Sequence, residues 1–266
     1  MAKIKAKILM DPERPKVAPT DVKDVLERYS FEVTSRSPDI GVVVGGDGVF
    51  GFYGRTESIP LLFVGVRSEQ ATGSKAFLAE AYYDELPVAL EKIRNGEYGV
   101  VEQRRLEVSR DGKKMGDVFT DVYLERGSES NSLRYGLQVK GKGISFTESA
   151  IGDGVVVCTA AGSTGYFSYP DKISLGDWLE PSRFTTLTEN EVGVCHIVPT
   201  FTKRENEREH PLRYILPWET EVEIRLHRPA DARLYGVVED RGGLKIEAKD
   251  VIKIGPSANM TSVIKV

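Results

Sequence analysis

The sequence predicts an α/β unit at the N-terminus followed by an all-β, sandwich-like unit. Three observations carry this. Apolar strand-like runs alternate with helical spacings through about residue 96, the pattern of an α/β unit. Beyond that point short strand-like runs follow one another between turn signals, with no long helical pattern. Two glycine-bearing loops, one in each half, stand directly after buried-looking strands. We place the units at residues 1–98 and 99–250, with 251–266 as a segment that returns to the first.

In the first half, Lys3 to Met10 reads as a strand. Thr20 is placed to cap a helix whose apolar face is Val22, Val25, Leu26 and Tyr29. Phe31 to Thr34 and Ile40 to Val44 read as strands, and Ile59 to Val66 is a nearly continuous apolar run. Such runs suit strands buried on both faces, as in a parallel sheet. Asp84 is placed to cap a helix carrying Leu86, Leu90 and Ile93, with Asn95-Gly96 as its stop. In the second half, strands are expected over Val101 to Ser109, Asp117 to Glu125, Tyr135 to Val139 and Gly154 to Thr159. Val192 to Pro199, Thr220 to Leu226, Ala232 to Val238 and Leu244 to Ile254 continue the series. The dense mixed-charge run Lys203 to Arg213 reads as a solvated loop.

A net charge of −4, with acids and bases spread along the chain, argues against nucleic acid as a partner. No apolar run approaches the roughly 20 residues of a membrane span. The alternating N-terminus lacks the apolar core of a signal peptide. Cys158 and Cys195 stand in apolar runs without metal-like spacing, which suits buried reduced thiols and a cytoplasmic protein. His196, His210 and His227 are dispersed, so no zinc site or acyl-transfer triad is expected, and His196 reads as a satisfied core residue.

Gly45-Gly46-Asp47-Gly48 follows the strand Ile40 to Val44. Glycines there let the backbone turn and a ligand approach closely. One carboxylate at the tip can serve a metal, a water or a hydroxyl proton. The carboxyl ends of strands are where open α/β sheets bind ligands. The second loop, Gly162-Ser163-Thr164-Gly165-Tyr166, follows Asp153-Gly154 and an apolar run. It offers backbone N–H groups and two hydroxyls to phosphate or ribose oxygens, with room for a planar base beside Tyr166.

Gly46-Asp47-Gly48-Val49-Phe50-Gly51 also matches the dinucleotide fingerprint G-x-G-x-x-G, with Glu69 at about the distance of a ribose acid. We expect that match to fail, because residues 49–58 look too short and too glycine-rich for the helix it requires. Gly73-Ser74-Lys75 lacks the preceding glycine of a Walker loop.

Together the two loops resemble the NAD kinase family. Gly-Gly-Asp-Gly in an α/β unit is followed by Asp-Gly, a strand and Gly-Ser-Thr-x-Tyr in a β unit. Ile59 to Val66, Ala76-Phe77-Leu78 and Phe119-Thr120-Asp121-Val122 extend the likeness along most of the chain. The resemblance implies an NAD kinase-like two-domain architecture and phosphoryl transfer from ATP, or another phosphate donor, to the 2′-hydroxyl of the adenosine ribose of NAD. It implies Mg²⁺ or another divalent cation and assembly as a homodimer or homotetramer. Carried over by position, Asp47 is the base or metal-linked acid, and Gly46 and Gly48 admit the phosphates. Phe77 packs near the acceptor, Thr120 faces the adenine, Asp121 takes ribose hydroxyls and Asp153 the nicotinamide end. Thr164, Gly165 and Tyr166 line the adenosine pocket. No residue is assigned as a protein ligand of the metal.

Several positions depart from the family pattern. Thr120 stands at a usual Asn and Asp121 at a commoner Glu. Cys158-Thr159-Ala160-Ala161 replaces Ser-Thr-Pro-Thr, Gly165 replaces Ala, and Val49 stands where Thr is frequent. These changes cluster on the acceptor side. They leave open a related kinase for another nucleoside, sugar or lipid hydroxyl, or a nucleotide-binding regulator without turnover.

Overall fold

The apolar runs of the first half form a parallel sheet. The computed structural model describes residues 3–67, 75–175, 181–205, 211–237 and 242–266. Its contacts divide the chain into Met1–Gln103 with Met260–Val266, and Arg104–Asn259. Both crossings fall inside strands rather than in linkers.

The first unit runs β1 (Lys5–Met10), α1 (Pro19–Arg28), β2 (Glu32–Val33), β3 (Ile40–Gly45), α2 (Asp47–Thr56), β4 (Leu61–Gly65), β5 (Ala81–Tyr82) and α3 (Leu86–Asn95), then the start of β6 (Gly99–Arg110). β1 pairs β2 and β3, and β3 pairs β4, all in parallel register. β3 and β4 are buried at every residue, as their unbroken apolar sequences require. Val22 and Leu26 of α1 and Leu86, Leu90 and Ile93 of α3 pack with Ala6, Val42 and Leu62 of the sheet in one core. Two expected caps are corrected. Thr20 lies inside α1, whose cap is Ala18 with Pro19 in the first turn, a position that proline's fixed φ favours. Asp84 lies within a short 3₁₀ turn, Tyr83–Glu85, ahead of α3. There Glu85 Oε2 accepts the Tyr82 N–H at 2.9 Å. Gly96 ends α3 with φ of 77°, as its glycine predicts.

The second unit continues with β7 (Lys113–Val118), β8 (Asp121–Arg126), β9 (Leu133–Gly141), β10 (Ile144–Gly152), β11 (Gly154–Cys158), α4 (Tyr169–Leu175), β12 (Glu191–Ile197), β13 (Phe201–Arg204), β14 (Arg213–Pro217), β15 (Glu221–Leu226), β16 (Ala232–Tyr235), β17 (Leu244–Ile246) and β18 (Ile252–Lys265). One sheet has the order β13-β10-β9-β15-β18 and the other β14-β12-β11-β8-β16-β17. Inward residues such as Leu137, Val139, Val155, Val157, Val194 and Val222 form one shared core, the arrangement of a β-sandwich.

Four strand expectations are corrected. Asp117 to Glu125 breaks at Phe119-Thr120 into β7 and β8, and Leu244 to Ile254 divides between β17 and β18. β10 was not anticipated. The charged run Lys203 to Arg213 contributes β13 and β14, so Arg204 and Arg213 are largely buried in ion pairs with Glu148 and Asp171. Val238, Glu69, Gly73, Ser74 and His210 lie outside the described residues.

Candidate functional site

In the first unit, β3 delivers Gly45 and Gly46 to the end of the sheet. A Cβ on Gly45 would lie 3.0 Å from the Val49 side chain, so glycine lets the chain fold back at once. Gly46 caps α2 and Asp47 is its first residue. The helix dipole favours an acid at that position. Asp47 Oδ1 accepts the Leu78 N–H at 2.9 Å, which ties the loop to the 76–78 segment. That segment is pressed against the end of β4, where a Cβ on Gly65 would lie 2.9 Å from both Ala76 Cβ and Ala79 Cβ. Ala76 adopts φ of 50°, the left-handed region that a residue with a Cβ enters at some strain. The structure therefore brings Gly46, Asp47, Gly48 and Phe77 into one neighbourhood. Gly48 is exposed, and a Cβ there would meet nothing within 4 Å.

α2 corrects the expectation that residues 49–58 could not be helical. Its ten residues pass through Gly48, Gly51 and Gly54, a run of low intrinsic helix propensity. Tertiary packing supplies what propensity lacks. Phe50 stacks on Phe63 of β4, 4.8 Å between centroids and 7° between planes, and the Gly54 carbonyl accepts Thr261 Oγ1 at 2.6 Å. The G-x-G-x-x-G match thus does open a helix, so a missing helix does not exclude the dinucleotide fingerprint.

In the second unit, the turn between β7 and β8 and the loop after β11 are bonded together. Thr159 donates its N–H to Thr120 O at 2.9 Å and its hydroxyl to Phe119 O at 2.6 Å. A Cβ on Gly162 would lie 2.3 Å from Thr120 O, so that position admits only glycine. A Cβ on Gly165 would lie 3.1 Å from Asp121 Oδ2. Thr164 O accepts Ser168 Oγ at 2.9 Å and Lys172 Nζ at 2.8 Å. Asp171 of α4 takes both Arg213 guanidinium nitrogens, at 2.7 and 2.9 Å, and Arg213 also reaches Phe167 O. The loop is thereby fastened at both ends. Thr120, Asp121, Gly162, Thr164, Gly165 and Tyr166 share this corner.

Burial pushes the Asp121 carboxyl up to about 6, against a hydrogen bond from the Thr120 hydroxyl that favours the charged form. The Thr120 side chain is thus directed to Asp121. Burial likewise raises the Cys158 thiol well above its ordinary range and Cys195 to about 12; both are free and buried. His196 is a core residue, as expected, with ring nitrogens 2.8 Å from Tyr135 Oη and 2.5 Å from Glu148 Oε1.

Asp153 is set apart from this corner. β8 and β11 are antiparallel, with Asp121 opposite Cys158 and Glu125 opposite Gly154. Asp153 therefore sits at the far end of the pair, about 16 Å along the strands. There its Oδ1 meets Arg126 Nε at 3.0 Å. Tyr123, Tyr235 and the Asp171–Arg213 clamp were not singled out from the sequence. Tyr123 could have been, because strand alternation puts it on the same face of β8 as Asp121.

No family model matches the chain. Among curated relatives, an NAD kinase of Clostridium kluyveri is 32% identical over 141 residues, covering 51% of this chain and 47% of its own. One of Pseudomonas fluorescens is 30% identical over 173 residues, covering 60% and 55%. One of Citrifermentans bemidjiense is 26% identical over 234 residues, covering 85% and 72%. The chain spans about half the length of the first curated relatives it matches. An Archaeoglobus fulgidus NAD kinase solved in complex with ATP superposes with a TM-score of 0.66 at 19% identity, covering 98% of this chain and 92% of that one. Yeast NADH kinase complexed with NADH gives 0.71 at 14% identity, covering 99% and 83%. At those identities the two structures speak to the fold. The likeness carried by the two loops thus extends through the architecture, and the chain is NAD kinase-like in both sequence and fold.

Proposed function

We propose that the chain transfers a phosphoryl group from ATP to the 2′-hydroxyl of the adenosine ribose of NAD, giving NADP. The observation that supports this most is Asp47, an acid on the first turn of α2 whose carboxylate is oriented by the Leu78 N–H. Phosphoryl transfer asks a protein chiefly for positioning and charge neutralisation. The N-terminal amides of α2 suit phosphate oxygens, and the open side of Gly48 leaves room for them. Asp47 would receive the hydroxyl proton or act through a cation. Asp121 would accept ribose hydroxyls, Thr164, Gly165 and Tyr166 would hold the adenosine, and Asp153 would meet the nicotinamide end.

Among the described residues no group of three or more His, Cys, Asp or Glu gathers to hold a metal. Mg²⁺ is commonly held by one or two carboxylates together with substrate phosphates. A carboxylate at Asp47 fits a cation that arrives with the nucleotide and neutralises its charge. Assembly as a homodimer or homotetramer belongs to the same proposal and is read by light scattering. Among the described residues no helix is long and apolar enough to cross a membrane.

Thr120 favours one second reading. Its hydroxyl bonds Asp121, where the resemblance would have it face adenine. A kinase for another hydroxyl acceptor would need no adenine contact there. With α2 formed, an NAD-dependent oxidoreductase is set aside on sequence similarity to NAD kinases rather than on a missing helix. Incubation with Mg-ATP and NAD, followed by an NADP-specific assay, tests the proposal, with parallel tubes holding other nucleosides and sugars. NADP is the expected product. Phosphorylation of another acceptor in its place would move the assignment to the related kinase.

A further inference from the structure

Tyr166 is 41% exposed in the loop after β11, and its ring meets Tyr123 edge-on, with centroids 5.1 Å apart and planes at 63°. Tyr123 in turn stacks on Tyr235, 5.0 Å between centroids and 18° between planes. Behind Tyr235 the chain closes in. A Cβ on Gly243 would lie 2.6 Å from Cε1 of that ring, and Gly243 has φ of 69°. The three rings come from separate places: the loop after β11, the middle of β8 and the end of β16. Tyr123 and Tyr235 are direct partners in the β8–β16 ladder. Backbone hydrogen bonds therefore fix their spacing. Tyr166 stands beyond Gly165 and touches Tyr123.

We propose that Tyr123 and Tyr235 are positioning residues for the acceptor nucleotide, forming a stacked buttress that sets the plane of the Tyr166 ring. The inference rests on the reading of Tyr166 as part of the adenosine pocket. A loop tyrosine that rotates freely offers its face to a base only part of the time, and the apparent affinity falls by that fraction. With Tyr123 against it, the ring keeps one orientation. The buttress acts on binding and leaves the transferring phosphoryl group untouched, so its signature is a KM effect on the acceptor alone. Its action is through ring shape, so a phenylalanine serves as well as a tyrosine.

The test measures kcat and KM for NAD and for ATP in the full chain and in Tyr123→Leu, Tyr123→Phe, Tyr235→Leu and Tyr166→Leu, with thermal melts as a check on folding. The expected result is a KM for NAD raised at least fivefold by each leucine substitution. The KM for ATP and kcat stay within twofold, and Tyr123→Phe matches the wild type. Should Tyr123→Leu fail to fold, Tyr235→Leu carries the comparison. An unchanged KM for NAD in the foldable buttress variants, or in Tyr166→Leu, overturns the inference. So does a Tyr123→Phe as impaired as Tyr123→Leu, or a loss confined to kcat. A wild-type chain that makes no NADP defeats the functional reading separately. The buttress is then decided by calorimetry with NAD, where a fivefold weaker Kd in the variants supports it, and an unchanged Kd or no binding by the wild type overturns it.

Discussion

Asp121 provides a stability test that requires no substrate. Burial raises its carboxyl from 3.8 to about 6 in the folded chain. An acid shifted upward holds its proton more tightly folded than unfolded, so stability falls as pH rises through that interval. The contribution is intact below pH 3.8, declines toward about pH 6 and stays lost above it. At ~1.4 kcal/mol for each pKa unit, the interval is worth about 3 kcal/mol. Asp121→Asn keeps the shape of the side chain and removes the charge. The unliganded variant is expected to match the wild type near pH 4 and to exceed it by up to about 3 kcal/mol at pH 8. Urea unfolding of both proteins across that range, plotted as a difference, is the measurement. A variant that gains nothing between pH 4 and pH 8 would falsify the reasoning. The same substitution is expected to weaken NAD binding, because ribose hydroxyls would lose an ionised acceptor. Stability and affinity should move in opposite directions.

Three other outcomes are expected. Asp47→Asn lowers kcat by about 100-fold or more while nucleotide affinity, read by calorimetry, changes little; such losses are typical when an acid or base acting in the transition state is removed. Gly162→Ala forces a Cβ to 2.3 Å from Thr120 O, so the corner joining the β7–β8 turn to the loop after β11 must open. Its expected mark is a loss of about 1–3 kcal/mol in unfolding experiments, together with weakened nucleotide binding; near-wild-type behaviour on both counts would show that the loop yields easily. Glu148→Ala strips the buried His196 and Arg204 of their shared carboxylate. It should cost about 3–5 kcal/mol in denaturant titration. Glu148→Gln, which keeps a hydrogen-bonding oxygen, should cost less.

Much of the architecture could be read from apolar runs alone. Ile40 to Val44 and Ile59 to Val66 are apolar at nearly every position, and a doubly covered parallel sheet suits such sequences. The glycine-bearing loops were legible for a related reason, since glycine beside a lone acid after a strand is a local signal. What escaped was decided by contacts distant in sequence. α2 contains three glycines and looks unfit for a helix until Phe63 and Thr261 are in place. The bend at Phe119-Thr120 is marked only by a break in alternation, Val118-Phe119 followed by Thr120-Asp121; what holds it is distant, the carbonyls that Thr159 captures. Arg204 and Arg213 read as surface charges within an acidic and basic run, and only the positions of Glu148 and Asp171 turn them inward. Tyr123 and Tyr235 are far apart in sequence, and nothing local announces that their strands are neighbours.

β18 begins in the second unit and finishes in the first. Val263 pairs with Leu61, and Ile264 lies in the same core as Ala6, Val42 and Leu62. Along the chain, the β-sandwich is therefore inserted into the α/β unit, between Gln103 and Met260. On a ribosome, the unit that started first cannot complete its sheet until the whole sandwich sequence has been made. An expression fragment ending near residue 100 would leave Leu61 without the strand that should flank it, so dissecting the protein calls for a short linker joining residues 103 and 260 in place of the sandwich.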